Sequence, residues 1–247
     1  APVGEHCAVQ GVVARRMWAA CSPYRAGFIT SMAAVAGAVA QEILACYEQP
    51  GIDRAWVNNG GDIALHLAPG QSVTVGVYAD IAALNAAQLR HGLVLDGQIR
   101  IDSDMPVRGV ATSGWRGRSQ SLGIADSVTV LARTAAQADA AATIVANAVD
   151  VADARIVRRP AWQVRDDSDL GAIPVTVDVP ALPRELVARA LHQGLQKAQE
   201  LQSSGLLWFA LLACQGQWVA TSAPQTLANA VWPRNAVAES EVGSVFA

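Results

Sequence analysis

Apolar and polar positions along this chain keep two different periods, and the places where the period changes mark out its elements. Residues 10–18, rich in Val and Ala, read as a first strand, closed by a polar turn through Ser22 and Pro23. Residues 31–47 predict a helix of small apolar residues, stopped by Gln49-Pro50-Gly51. Its Ala and Gly content points to close packing against another element. A strand at 54–57, the tight turn Asn58-Asn59-Gly60-Gly61 and a strand at Asp62–Leu67 follow. Beyond Pro69-Gly70, Val73, Val75 and Val77 alternate with Thr74 and Gly76, which predicts a strand over 72–78 and an antiparallel meander.

The second half continues with short strands at 94–101 and 107–112, then a loop rich in Gly, Ser and Arg over 113–123. A strand at Ser127–Ala132 leads into a strong helix at 134–149, and 155–170 reads as irregular and polar. A strand at 175–179, an amphipathic helix at 183–201, and a hairpin of 206–213 with 217–221 about Gln215-Gly216 complete the pattern. From Pro224 the tail keeps no period. Strands and helices do not alternate strictly, so the pattern predicts an α+β fold, with largely antiparallel sheets packed with helices. Two lobes in one compact unit, a single domain over 1–247, suit the length.

Composition narrows the function classes. With 52% hydrophobic and 16% charged residues the chain has ample material for a core, which excludes disorder. The net charge is −3 and no basic block exists, so nucleic acid is not an expected partner. The longest apolar stretch, 32–40, ends at Gln41 and Glu42, far short of the ~20 residues of a membrane span. Four scattered cysteines, Cys7, Cys21, Cys46 and Cys214, form no Cys-x-x-Cys pair; buried free thiols in the cytoplasm are expected.

Three segments carry candidate chemistry. In the turn Asn58-Asn59-Gly60-Gly61-Asp62, the glycines permit positive φ and close approach of a ligand to the backbone, although Asn-Gly hairpin geometry alone demands the same residues. The loop after Gly109 gathers Gly114, Gly117 and Gly123 with Thr112, Ser113, Ser119, Ser121, Arg116 and Arg118, the composition of an anion-binding loop or of a solvated surface loop. It contains neither a P-loop nor a nucleophile elbow. On the helix at 134–149, Asp139, Thr143 and Asn147 fall at i, i+4 and i+8, with Asp150 three further on. One carboxylate and one hydroxyl a turn apart suit two oxygen ligands of Mg²⁺; the wet face of an amphipathic helix gives the same stripe. Of four histidines, His66 alone falls on the strand after the Gly-Gly turn.

Taken together, Val57-Asn-Asn-Gly-Gly-Asp-Ile63, Ala111-Thr-Ser-Gly114, Ser127-Val-Thr-Val130 and Ala138-Asp-Ala-Ala-Ala-Thr143 occur in the order and character of the ApbE-like superfamily, which contains the FAD:protein FMN transferases. The chain most resembles a short cytoplasmic branch of it. The shared features are Gly-x-Ser-x-Ser-x-Gly-x-Ala-Asp over 117–126, Ala-Thr-Ile-Val-Ala-Asn147 and Ser168-Asp-Leu-Gly171, and the resemblance spans about 25–219. It implies a metal site at Asp139 and Thr143 with the carbonyl of Ala111. It also implies cofactor-binding roles for Asn58, Asn59, Gly60, Gly61 and Asp62, and for Thr112, Ser113, Gly114 and Ser119 in the loop. The expected ligands are Mg²⁺ and a phosphate-bearing cofactor, FAD being the candidate, with FMN transfer or pyrophosphate cleavage as the reaction. The transferases carry a His-Ile-Ile-Asp-Pro-like segment between the second and third motifs, where this chain has 12 residues and no histidine. A base would then come from elsewhere, such as His66, with Arg118 or Arg116 stabilising developing charge. A flavin-binding or other small-molecule-binding module without turnover, and an enzyme of unrelated small-molecule metabolism reusing the pocket, are the rival readings. A homodimer is compatible with all three.

Overall fold

The computed structural model describes residues 2–77, 97–117, 119–222 and 236–237. The ends of two expected strands, Tyr78 and 94–96, lie outside the described residues, as do Arg118 and nearly all of the tail from Pro224. The fold is α+β. Its frame is a seven-stranded sheet, here β1 (Arg54–Asn59), β2 (Asp62–Leu67), β5 (Gly109–Ser113), β6 (Ser127–Ala132), β9 (Phe209–Cys214), β10 (Gln217–Ala220) and β11 (Ala236–Val237) in spatial order. Neighbours are antiparallel except β10 and β11. Two hairpins are added to it: β3 (Ser72–Val77) with β4 (Gly97–Asp102), and β7 (Val157–Pro160) with β8 (Pro174–Asp178).

Side chains alternate across a strand, and both faces of this sheet are covered. Val128, Val130 and Ala132 of β6 and Ala210, Leu212 and Cys214 of β9 meet the helices α1 (Val12–Cys21), α2 (Val35–Ala45), α3 (Ala135–Ala148) and α4 (Arg184–Ser203). Leu131, Phe209, Leu211 and Ala213, one residue out of phase, meet Val75, Ile99 and Ile101 of the β3–β4 hairpin. Two hydrophobic clusters thus lie on opposite faces of one sheet, and a third, around Ala40, Leu44, Ala64 and Ala135, joins α2 to β2 and α3. Central strands β6 and β9 are buried at every position, which is why their sequences read as continuous apolar runs.

Three expectations need correction. The expected meander breaks after β2, because β3 pairs with β4 in a separate hairpin while β5 takes the place beside β2. Residues 10–18, expected as a strand, lie largely in α1: Val13, Met17 and Trp18 pack on the core beside buried Ala20 and Cys21, a helical spacing that Arg15 and Arg16 separate from any period of two. Residues 155–170 are not irregular throughout. They include β7 and a single helical turn, Ala161–Val164, and β7 alternates exposed and half-buried positions on a two-stranded edge, so its polar composition hid it. Of the four cysteines, all free, Cys21 and Cys214 are buried while Cys7 and Cys46 are exposed.

The helix α3 is held against its neighbours by glycines. A Cβ on Gly37 of α2 would sit 2.3 Å from the carbonyl oxygen of Ala135, and one on Gly109 would sit 2.2 Å from the carbonyl carbon of Thr134. Backbone meets backbone at both points, which sets α3 close to α2 and to β5.

Candidate functional site

The β1–β2 turn is built by its residue types. Gly60 and Gly61 take φ values of 72° and 114°, a region costly for any residue with a Cβ. Asn58 Oδ1 accepts the Gly61 N–H at 2.9 Å and closes the turn, while Asn59 Nδ2 donates to the Ala36 carbonyl at 3.2 Å and ties it to the first turn of α2. Asp62 starts β2 and is buried. Pairing of β2 with β5 stops at Ile63 opposite Val110, so the Thr112 N–H has no strand partner on that side; Asp62 Oδ1 accepts it at 3.2 Å.

Asp139 approaches from α3. The N-cap position of α2, Ala34, has no side chain able to cap, and a helix start leaves free N–H groups there. Asp139 supplies the cap from a different helix: its Oδ2 accepts the Gly37 N–H at 2.9 Å, and the Ala36 N–H is a further donor to it. The close approach at Gly37 makes this contact possible. Burial pushes the Asp139 carboxyl up to about 8, and the Asp62 charge adds to the rise against the pull of the two N–H groups. Burial likewise pushes Asp62 up to about 6, with the Thr112 N–H acting the other way. The buried Cys21 thiol is pushed up to about 12 by burial and then by the Asp139 charge, so it is no nucleophile. Asp139 is therefore held at a helix N-terminus and Asp62 at the edge of β5, and the Asp62 charge disfavours ionisation of Asp139.

The remaining expected residues divide. Thr143 lies one turn beyond Asp139 on the same side of α3 and is half-buried. Asn147, next on that stripe, is turned to structure: its Oδ1 accepts the Leu122 N–H at 2.9 Å and the Ser121 hydroxyl at 3.3 Å. Ala111 is fully buried in β5 opposite Val130. Because the Thr112 N–H faces β2, strand alternation turns the Ala111 peptide groups toward β6 and away from Asp62. The Thr112 hydroxyl meets Thr129 Oγ1 at 3.0 Å, so this residue reaches Asp62 through its backbone alone. Ser113 is half-buried at the end of β5 and Ser119 is exposed. Gly114 is a packing glycine, since a Cβ there would lie 2.3 Å from the Asp126 carbonyl oxygen. Arg116 pairs with Asp126 at 2.9 Å, and Arg118 lies outside the described residues. The His66 Nε2 is 3.0 Å from the Ile52 carbonyl, four residues along β2 from Asp62, or ~13 Å of strand. The structure does not bring it to the carboxylate pair.

Sequence reasoning missed the first turn of α2, whose donors at Ala36 and Gly37 are backbone groups. A glycine inside an alanine-rich helix was the available signal. It missed also that the Ser168–Gly171 segment joins two distant places, Thr30 donating to Asp169 and Ser168 donating to Gln120 of the 113–123 loop.

A family model described as "AbpE bacteria" matches residues 1–220. The chain belongs to this ApbE-like family. The chain is also similar to proteins named UPF0280 protein. The chain is 37% identical over 138 residues to that of Methanothrix thermoacetophila, covering 56% of this chain and 52% of the relative. It is 38% identical over 157 residues to that of Methanopyrus kandleri, covering 63% and 56%, and 40% identical over 123 residues to that of Methanothermobacter thermautotrophicus, covering 49% and 43%. The chain thus spans about half the length of the curated relatives it matches. Among the described residues of this ApbE-like chain, no helix is long and apolar enough to cross a membrane.

Proposed function

We propose that this ApbE-like protein binds a phosphate-bearing cofactor, with FAD as the first candidate, together with a divalent cation held at Asp62 and Asp139. The observation that supports this reading is the half-buried Asp139 carboxyl at the start of α2, which the charge of buried Asp62 raises further and which a cation would favour in its ionised form. The donor set suits Mg²⁺. Among the described residues no three His, Cys, Asp or Glu side chains converge, so a cation here would draw the rest of its ligands from hydroxyl, water and phosphate oxygens. Two carboxylates, the nearby Thr143 hydroxyl, water and phosphate oxygens are hard ligands of the kind Mg²⁺ takes. When bound, the cation would supply neutralisation of phosphate charge and Lewis acidity. The residues of the chain contribute placement: Asn59 fixes the turn to α2, the Thr112 N–H orients Asp62, and the Gly37 N–H orients Asp139.

Binding without turnover is the second reading, and a specific observation favours it. His66 is engaged with the Ile52 carbonyl, and the Thr112, Ser121 and Arg116 groups of the loop are engaged with Thr129, Asn147 and Asp126. An arginine cannot act as general base, its pKa staying above ~12. The test joins calorimetry with mass spectrometry. FAD and Mg²⁺ are titrated into the protein and into Asp139→Asn, and an acceptor protein with the transferases' threonine motif is weighed after incubation with all three. Mg²⁺-dependent FAD binding that is lost in Asp139→Asn, with no adduct on the acceptor, is the expected result. An FMN adduct would establish transfer, and metal-independent or absent FAD binding would overturn the proposal.

A further inference from the structure

β1 is the terminal strand of the central sheet, and its outer edge has no strand partner among the described residues. The turn sets Asn59 opposite Asp62, so the peptide groups of Asn59, Val57 and Ala55 face β2 while those of Asn58, Trp56 and Arg54 face outward. The Ala68 N–H, donating to the Asp53 carbonyl at 2.8 Å, keeps the same alternation. Edge strands are normally blunted by proline, lysine, a bulge or brevity. β1 has six residues in unbroken register and neither proline nor lysine. Trp56 is 58% exposed and Tyr47 50%, and a groove of about 350 Å³ lined by Tyr47, Ile52 and residues 54–57 follows the edge.

We propose that this edge is an interface between two copies of the chain, formed by antiparallel pairing of β1 with β1 about a twofold axis at Ala55. Outward-facing residues must pair with outward-facing residues, which leaves three registers centred inside the run 54–58, on Trp56, on Ala55 or on Val57, the last setting Trp56 opposite Asn58 and carrying Arg54 past the end of the strand. The first sets two indoles directly opposite each other at the axis and leaves Arg54 facing an asparagine. The second sets the smallest side chain of the strand on the axis and places Arg54 opposite Trp56 of the partner subunit, twice by symmetry. Arg54 and Trp56 project from the same, exposed face of the strand; Arg54 Nη1 donates to the Ser72 carbonyl at 3.2 Å, and the flat face of the guanidinium is what each pair brings to an indole, a favourable cation–π combination. The pairing is isologous, as a twofold dimer requires. It involves neither Asp62 nor Asp139 and does not depend on the ligand reading.

In this register Ala55 and its symmetry mate form a non-hydrogen-bonded pair, where Cα atoms of antiparallel strands lie ~4.5 Å apart, within reach of a disulfide. Ala55→Cys, made in a chain with exposed Cys7 and Cys46 replaced by serine, should therefore give a covalent dimer on mild oxidation, read on a non-reducing gel. Trp56→Cys in the same background should not. Sedimentation equilibrium of the unaltered chain should show a dimer. Arg54→Glu should raise the dimer dissociation constant at least tenfold with the circular dichroism unchanged. Trp56→Pro, whose N–H makes no β1–β2 bond, should give a monomer. A parent that is monomeric at every concentration, a dimer unaffected by Arg54→Glu, or cross-linking at Trp56→Cys in place of Ala55→Cys would overturn the proposal.

Discussion

The carboxyl of Asp139 accepts N–H groups from the start of another helix and shares its site with Asp62. In the unfolded chain both carboxyls titrate near ~4, whereas in the folded chain they titrate at about 6 and about 8. Between those limits the folded state keeps protons that the unfolded chain releases, so stability in the absence of metal falls as pH rises from ~4 to about 8 and then levels off. Thermal unfolding across that range, in chelator, should show the decline. Asp139→Asn should flatten it, since an amide oxygen still accepts the Gly37 N–H without a charge, and Mg²⁺ should restore stability at pH 8 in the parent alone. The same variant should weaken Mg²⁺ binding by more than ~100-fold, because even outer partners of metal ligands contribute ~10–100-fold. Gly37 has a different role. Adding its Cβ meets the Ala135 backbone at 2.3 Å, so Gly37→Ala should destabilise by about 1–3 kcal/mol, despite alanine's better helix propensity, and should weaken metal binding as α2 moves off α3. Denaturant unfolding and calorimetry of that variant measure the two effects separately.

Among the elements, the β1–β2 hairpin separates turn geometry from ligand contact. A Cβ at Gly61 meets nothing within 4 Å, yet its φ of 114° strains any other residue. Gly61→Ala should therefore cost about 1 kcal/mol or more of stability. If a ligand occupies the open space beside the turn, FAD affinity should fall by more than stability does; equal losses would make the turn structural only. This hairpin was legible in the sequence because Asn58 to Gly61 is a local signal between alternating strands, and α3 and α4 were legible for the same kind of reason. What could not be read were contacts made by backbone groups of distant elements: the α2 N–H donors on Asp139, and the turning of the Ala111 carbonyl toward β6. Asp62 and Asp139 were found through motifs, while their meeting depends on Gly37 and Gly109, which carry no side chain to announce it. α1 was lost because a Val-Val start suggests a strand, although Val13, Met17 and Trp18 already held the helical spacing. The Ser168–Gly171 motif was visible, but its contact with Thr30 joins residues 139 positions apart.

For the whole molecule, stability rests on a sheet filled on both faces, and Phe209 is fully buried on the hairpin face. Phe209→Ala should destabilise by about 3–5 kcal/mol in denaturant unfolding while leaving the carboxylate pair, which lies on the helix side, chemically intact. A residual affinity for Mg²⁺ in the folded fraction would show that the two faces are energetically joined but functionally separate. The sheet also differs at its two ends. At one end β11 lies parallel to β10 and covers part of that edge, while at the other end β1 has no strand partner along its length among the described residues. A sheet open at both ends can add copies without limit and grow into fibres. With one end partly covered, pairing at β1 consumes the long accessible edge, and growth of the assembly stops at two.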